Sequence, residues 1–214
     1  YYPLSVLMLA GIKNILIIVN KGQLSQFKKI LPEKNNFGVS IHYKEQLKPK
    51  GLPDAFILGE KFIGNDSVAL ILGDNFFYGQ SLTQNLKKNT KFKNGAKIFL
   101  HPVKDPSLYG VAVLNKKNKI LKIVEKPKKS LSKLAITGLY FFDKNVVSLS
   151  KSLKPSKRNE LEITDINKLY LKEGKLNIHL LGRGYAWLDM GSYNSIQEAN
   201  NFISVIEKRQ GFKI

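Results

Sequence analysis

Apolar residues recur at helical spacing from Tyr2 to Ala10, and Gly11 is placed to end that helix. The run Ile15 to Val19 has no polar interruption, which predicts a strand covered on both faces. Gln23 to Ile30 predicts a helix, Val39 to Tyr43 a strand, Leu52 to Phe62 a helix and Val68 to Leu72 another buried strand. Short apolar strands alternating with amphipathic helices argue for an α/β fold with a largely parallel sheet.

The pattern changes in the middle of the chain. Val111 to Leu114 and Ile120 to Val124 flank Asn115-Lys116-Lys117-Asn118-Lys119, which reads as a β-hairpin. Ala135 to Phe142 is a longer strand, and Asn159 to Glu173 a helix with Thr164 and Asp165 near its beginning. Leu176 to Leu181 predicts a strand, and Ser192 is placed to cap a last helix running to Glu207. With 214 residues, 43% of them apolar, and no repeat or linker, the chain reads as one domain.

Composition narrows the chemistry. There is no cysteine, which excludes disulfides and Cys-ligated metal. His42, His101 and His179 are dispersed, leaving carboxylates and a hard cation such as Mg²⁺ for any metal site. No apolar run approaches the ~20 residues needed to cross a bilayer, and no signal peptide opens the chain, so no membrane association and a cytoplasmic location are expected. The formal charge of +19 raises the alternative of a basic nucleic-acid-binding module. Only Arg158, Arg183 and Arg209 among 35 basic residues are arginine, whereas nucleic-acid readers lean on Arg for bidentate and stacking contacts. Lysine is scattered instead, with clusters such as Lys116-Lys117 and Lys126 to Lys129 around turns. Such charge bears on solubility and steering, and no nucleic-acid partner is expected.

Several segments could carry chemistry. Gly73-Asp74-Asn75 follows a buried strand, and in open α/β sheets ligands bind beyond the carboxyl ends of strands. The same tripeptide also suits an ordinary turn. Trp187-Leu188-Asp189-Met190-Gly191 offers a second carboxylate, which could equally stabilise the start of the helix after it. Two convergent carboxylates would suit Mg²⁺, which takes one or two protein carboxylates plus phosphate oxygens. In Glu125-Lys126-Pro127, proline biases Lys126 towards an extended backbone that could project its side chain into a site. Glu125 could then accept from sugar hydroxyls and Lys126 neutralise a phosphate, or the segment could be a charged turn. Gly110 could admit a sugar against its backbone or relieve a bend. Arg183 reads as structural or interfacial, and His101 has no nearby carboxylate to orient it.

These segments, in order along the chain, resemble the sugar-1-phosphate nucleotidyltransferase family, and within it the glucose-1-phosphate thymidylyltransferases. The likeness runs through Tyr1 to Ile12, Gly73-Asp74-Asn75 with Phe77-Tyr78-Gly79, and Tyr109-Gly110-Val111. It continues in Glu125-Lys126-Pro127, Thr137 to Phe141, Glu160 to Asn167 and Gly182 to Asp189. Each motif alone is weak; the collinear set is specific.

The resemblance implies a Rossmann-like nucleotidyltransferase fold, with a mixed, mainly parallel sheet and a β-hairpin insertion. It implies that dTTP and glucose 1-phosphate give dTDP-glucose and pyrophosphate, feeding deoxysugar synthesis of the dTDP-rhamnose kind, with a UTP-using relative as the nearest alternative. By position, Asp74 and Asp189 match the family's Mg²⁺-binding aspartates, and with Lys126 they form the catalytic set. Gln46 and Gly51 match thymine-recognising positions. Asn75, Gly110, Glu125, Lys126 and Ile136 match positions around the sugar phosphate, with Tyr140 along the same wall. A homotetramer is implied. Met190 and Ile136 stand where relatives often carry threonine and valine. The family's first strand and Gly-rich loop are expected before Tyr1, and a tail beyond Ile214; without them, the domain spanning 1–214 is expected to be inactive on its own.

Overall fold

The first helix, α1 (Tyr2–Leu9), has Pro3 in its first turn and Gly11, at φ +83°, just beyond its end. It is apolar nearly all round because it is wedged between two clusters. Leu4 and Leu7 pack with Ile15, Leu31 and Ile41, while Val6 and Ala10 pack with Phe77, Leu86 and Trp187. The computed structural model describes residues 1–129, 131–211 and 213. Next come β1 (Asn14–Asn20), α2 (Leu24–Ile30) and β2 (Ser40–Gln46), with β1 and β2 in parallel register. Ile15 and Val19 of β1 are buried, but Leu16, Ile17 and Ile18 are only half-buried. The expected two-sided cover is therefore incomplete: β1 pairs on one edge with β2, and its middle lines an open cleft.

The helix expected over Leu52 to Phe62 is two short ones, α3 (Asp54–Leu58) and α4 (Glu60–Ile63), broken at Gly59. A side chain at Gly59 would stand 3.0 Å from the Ala55 carbonyl and 3.3 Å from Leu16, so glycine permits the close fit to β1. Strand β3 (Val68–Ile71) is followed by β4 (Asn75–Gly79), α5 (Leu82–Thr90) and β5 (Ala96–Pro102). The hairpin forms as expected from β6 (Gly110–Leu114) and β7 (Ile120–Glu125). The Asn115 side chain closes its turn by accepting from the backbone N–H groups of Lys117 and Lys119. Then follow β8 (Leu134–Phe142), α6 (Val146–Ser152), α7 (Ile163–Lys172), β9 (Leu176–Leu180), β10 (Tyr185–Asp189) and α8 (Tyr193–Gln210). Ser192 caps α8 in a reciprocal box with Ser195. No helix among the described residues is long and apolar enough to cross a membrane.

Strand β8 is the spine. Ile136, Tyr140 and Phe142 face Phe56, Ile163, Ile166 and Tyr170, while Ala135, Leu139 and Phe141 face Leu82, Leu86 and Trp187. One edge of β8 pairs antiparallel with β5, to which β9 adds in parallel. The other edge is shared: β3 takes Leu139 to Phe142, and β6 joins at Ala135. The α/β architecture with a mixed sheet and hairpin insertion is the expected one, but the parallel share is smaller than expected. Among the described ladders only β1–β2 and β5–β9 are parallel, because β8 runs against β3, β5 and β6. Sharing one edge between β3 and β6 leaves Ile136 and Thr137 without a strand partner there, while the Gly138 carbonyl accepts from the Leu72 N–H at 2.9 Å. There the sheet opens into a cleft.

Candidate active site

The cleft has a volume of about 800 Å³ and is lined by all ten residues singled out above: Gln46, Gly51, Asp74, Asn75, Gly110, Glu125, Lys126, Ile136, Tyr140 and Asp189. His101 and Arg183 are not in its lining. His101 instead stands 3.3 Å, through Nε2, from the Tyr185 carbonyl oxygen, and Arg183 is exposed.

The two aspartates, remote in the chain, meet through strand pairing. Asn75 opens β4 directly after Asp74, and its cross-strand partner is Asp189, the last residue of β10. The Met190 N–H donates to the Asp74 carbonyl at 2.7 Å, fixing the two strand ends side by side. Asp74 Oδ1 accepts from Asn75 Nδ2 at 2.7 Å, and Asp189 Oδ1 from the Tyr109 hydroxyl at 3.0 Å. Burial, and then the bond to Asp189, push the Tyr109 hydroxyl up to about 12, so at neutral pH it is a donor. Neither aspartate forms an ion pair with any described lysine or arginine. Gly191 lies beside the second Asp74 oxygen, 3.7 Å from where a Cβ would stand. The mouth therefore holds two carboxylates without protein counter-charge, a hard oxygen donor set suited to a divalent ion such as Mg²⁺. No group of three or more candidate ligands occurs among the described residues, so phosphate and water oxygens would have to complete any such ion's shell.

Asn75 is 1% exposed and its carbonyl is committed to the protein. Its Oδ1 accepts from Trp187 Nε1 at 2.6 Å and from the Gly138 N–H at 3.0 Å. A Cβ on Gly138 would lie 2.5 Å from the same oxygen, so glycine is what lets β8 approach. Asn75 thus locks the Asp74 carboxylate, Trp187 and the open edge of β8 into one unit.

Beyond the open edge stands a polar wall. Glu125, paired in register with Gly110, accepts from the Thr164 hydroxyl at 2.5 Å and faces Arg158 Nη2 at 3.4 Å. A side chain on Gly110 would meet Thr164 Oγ1 at 3.0 Å and Glu125 Oε2 at 3.3 Å. Arg158 also binds Glu162 at 2.7 Å and approaches Glu160 at 3.7 Å. Burial acts to raise the Glu162 carboxyl, but hydrogen bonds from Arg158 and Ser156 outweigh it and hold the group below its usual range. Ile136 and Tyr140 are buried beneath this wall; burial, then Glu125, push the Tyr140 hydroxyl well above its ordinary value.

Lys126 departs from expectation. Its φ is +39°, in the left-handed region and not extended, with its N–H donating to the Tyr109 carbonyl at 3.0 Å. Pro127 behind it is buried, so hairpin register and proline packing override the local preference. The exposed lysine still lines the cleft. The helix expected from Asn159 begins only at Ile163, because Asn159 itself sits at φ +62°. Residues 156–162 are instead a loop carrying Arg158 to the wall.

At the far end, Gln46 closes β2 and donates through Nε2 to Asn20 Oδ1 at 2.9 Å. Gly51, at φ +99°, lies against Leu161: a Cβ there would be 2.1 Å from the Leu161 carbonyl oxygen. The neighbouring Leu161 N–H donates to the Lys50 carbonyl at 2.7 Å. Arg158, Thr164, Tyr109 and Trp187 are site residues with no role in the chemistry assigned from sequence. The signal for Arg158 lies in its rarity within a lysine-rich chain, and for Trp187 in its being the only tryptophan.

The family model for nucleotidyl transferases matches residues 1–205. The chain is 49% identical over all 214 residues to a glucose-1-phosphate thymidylyltransferase from Neisseria meningitidis, spanning 74% of that protein. It is 44% identical, again over its whole length, to one from Mycolicibacterium smegmatis, spanning 74% of it. Among solved structures, a glucose-1-phosphate thymidylyltransferase from Bacillus anthracis in complex with sucrose superposes with a TM-score of 0.86 at 40% identity, covering 94% of this chain and 80% of that one. A UDP-glucose pyrophosphorylase bound to UDP-glucose gives a TM-score of 0.75 at 25% identity, covering 94% and 84%. With the family model matching residues 1–205 and a thymidylyltransferase matching all 214 residues at 49% identity, the chain belongs to the nucleotidyl transferase family.

Proposed function

We propose that the protein transfers the thymidylyl group of dTTP to glucose 1-phosphate, giving dTDP-glucose and pyrophosphate. The observation that carries this reading is the convergence of Asp74 and Asp189 at one mouth, beside Glu125 and Lys126, in a chain 49% identical to a thymidylyltransferase. An oxygen of the sugar phosphate attacks the α-phosphorus of dTTP in line; the new P–O bond forms as the α–β bridge breaks, and the electron pair leaves with pyrophosphate. Such a reaction asks the protein for alignment of two polyanions and compensation of their charge, not for a covalent intermediate. Asp74 and Asp189 would hold a divalent ion, taken to be Mg²⁺, which would supply positive charge to offset that of the phosphates. Tyr109 and Asn75 hold the two carboxylates in place, Lys126 offsets charge on the sugar phosphate, and Glu125 accepts from sugar hydroxyls. Gln46 and Gly51 offer the base a polar group and bare backbone.

The test is turnover by the protein expressed from its complete reading frame. With dTTP, glucose 1-phosphate and Mg²⁺, equal amounts of dTDP-glucose and pyrophosphate should appear, with kcat/KM at least about tenfold above that with UTP. No turnover, or a preference for UTP, would sink the reading. A homotetramer, the assembly the resemblance implies, is expected in light scattering of the same preparation.

A further inference from the structure

The two halves of the cleft meet at a close backbone contact. On one side is the segment from Gln46 to Gly51, and on the other the loop 156–162, which carries Arg158 and Glu162 to the wall around Glu125. They are joined by the Leu161 N–H donating to the Lys50 carbonyl at 2.7 Å. The approach is so close that a Cβ on Gly51 would fall 2.1 Å from the Leu161 oxygen, 2.8 Å from its nitrogen and 2.9 Å from its carbonyl carbon. These are main-chain atoms, which cannot rotate aside as a flexible side chain could. Gly51 also sits at φ +99°, where a residue with a side chain is strained.

The loop on the far side has few other ties. It forms a tight turn, with the Ser156 N–H donating to the Glu160 carbonyl and the Asn159 N–H to the Ser156 carbonyl, and Asn159 at φ +62°. Arg158 is 44% exposed; its bonds to the buried Glu162 and its approach to Glu160 lie within the loop itself, and its contact outside the loop, with Glu125 at 3.4 Å, is a weak, partly exposed pair. The Lys50–Leu161 bond is therefore a main-chain anchor for the segment that positions Arg158 and, through it, Glu125.

We propose that this contact is a latch by which occupancy of the Gln46–Gly51 half of the cleft orders the sugar-phosphate half. A nucleotide base seated against Gly51 restrains Lys50 and Gly51; the restrained carbonyl holds Leu161; the loop then presents Arg158 and Glu162 in one arrangement. Ordering paid by the first ligand need not be paid by the second, so each substrate favours the other. Gly51 is a positioning residue for the sugar phosphate as well as part of the nucleotide surface. The inference rests on the function proposed above.

Two measurements test it. In the wild-type protein, hydrogen exchange is followed with and without dTTP and Mg²⁺, in the absence of glucose 1-phosphate. The latch predicts that dTTP slows exchange in 46–52 and also, about fivefold or more, at the Leu161 amide within 156–162. Slowing confined to 46–52 overturns the latch. In Gly51→Ala, the latch predicts that the KM for glucose 1-phosphate rises about five- to tenfold at saturating dTTP, with a much smaller change in kcat. A sugar-phosphate KM within twofold of wild type overturns it, because displacing Leu161 would then have no bearing on the sugar-phosphate half. If the variant does not fold, the exchange experiment decides alone. If wild-type protein neither binds dTTP nor turns over, the proposed function fails first, and the latch with it.

Discussion

Replacing Asn75 by leucine removes one acceptor from beneath two buried donors while keeping nearly the same side-chain volume. Trp187 Nε1, at 2.6 Å, and the Gly138 N–H, at 3.0 Å, then have no partner, and with Asn75 only 1% exposed no water replaces it. Each orphaned buried donor costs about 1–3 kcal/mol. The added apolar contact recovers part of this, so the net loss is about 2–4 kcal/mol. With an m-value of about 2–3 kcal/mol per molar urea, the unfolding midpoint should fall by roughly 1 M. Trp187 is the only tryptophan, so its fluorescence reports both the unfolding transition and the loss of its hydrogen bond in the native state. Activity should fall further than stability explains under native conditions, because Asp74 Oδ1 also loses the donor that orients it. A midpoint shift below about 0.3 M, with native emission unchanged, refutes the claim that Asn75 is the lock between the aspartates and β8.

Two other perturbations read separate parts of the structure. Tyr170→Phe removes the hydroxyl that donates to the buried carboxylate of Asp143 at 2.6 Å, and should cost about 1.5–3 kcal/mol in urea unfolding with little effect on KM; a loss under 0.5 kcal/mol contradicts the assignment. Arg158→Met tests the Glu162 pairing by pH: the folded carboxyl is held below its usual 4.5, so its stabilisation is present above that value and lost as pH falls through the folded pKa. The difference in melting temperature between wild type and variant should be largest near neutrality and close below about pH 4, whereas a constant gap contradicts it.

Local signals made much of the fold readable. The turn from Asn115 to Lys119 and the cap at Ser192 are written in residues whose side chains bond their own backbone, so neighbours in sequence suffice. Helix α5 was not legible, because only Leu82 and Leu86 of its nine residues are apolar and buried; its place is set by Phe141 and Trp187 packing over it. Lys126 went against local preference for a similar reason, held at positive φ by its bond to the distant Tyr109 carbonyl, whereas Asn159 takes a left-handed conformation that Asn tolerates, in a tight turn that delays the helix. Asp74, Gly110, Glu125, Lys126 and Asp189 were readable as candidates from strand ends and the hairpin, whereas Gln46, Gly51, Asn75, Ile136 and Tyr140 came from the collinear resemblance alone; no spacing within the sequence could have joined the ten. Asp74 and Asp189 meet because β4 and β10 pair, and Gly51 meets Leu161 because two loops cross, facts of topology invisible to any local window.

The proposed catalysis depends most on whether those two carboxylates bind one ion. Mn²⁺ binding, followed by electron paramagnetic resonance on wild type, Asp74→Asn, Asp189→Asn and the double variant, measures this directly. A shared site predicts that either substitution removes the same tightly bound ion and that the double variant loses nothing more, a strongly non-additive cycle. Independent, additive losses, or either single variant retaining wild-type affinity and stoichiometry, would contradict it.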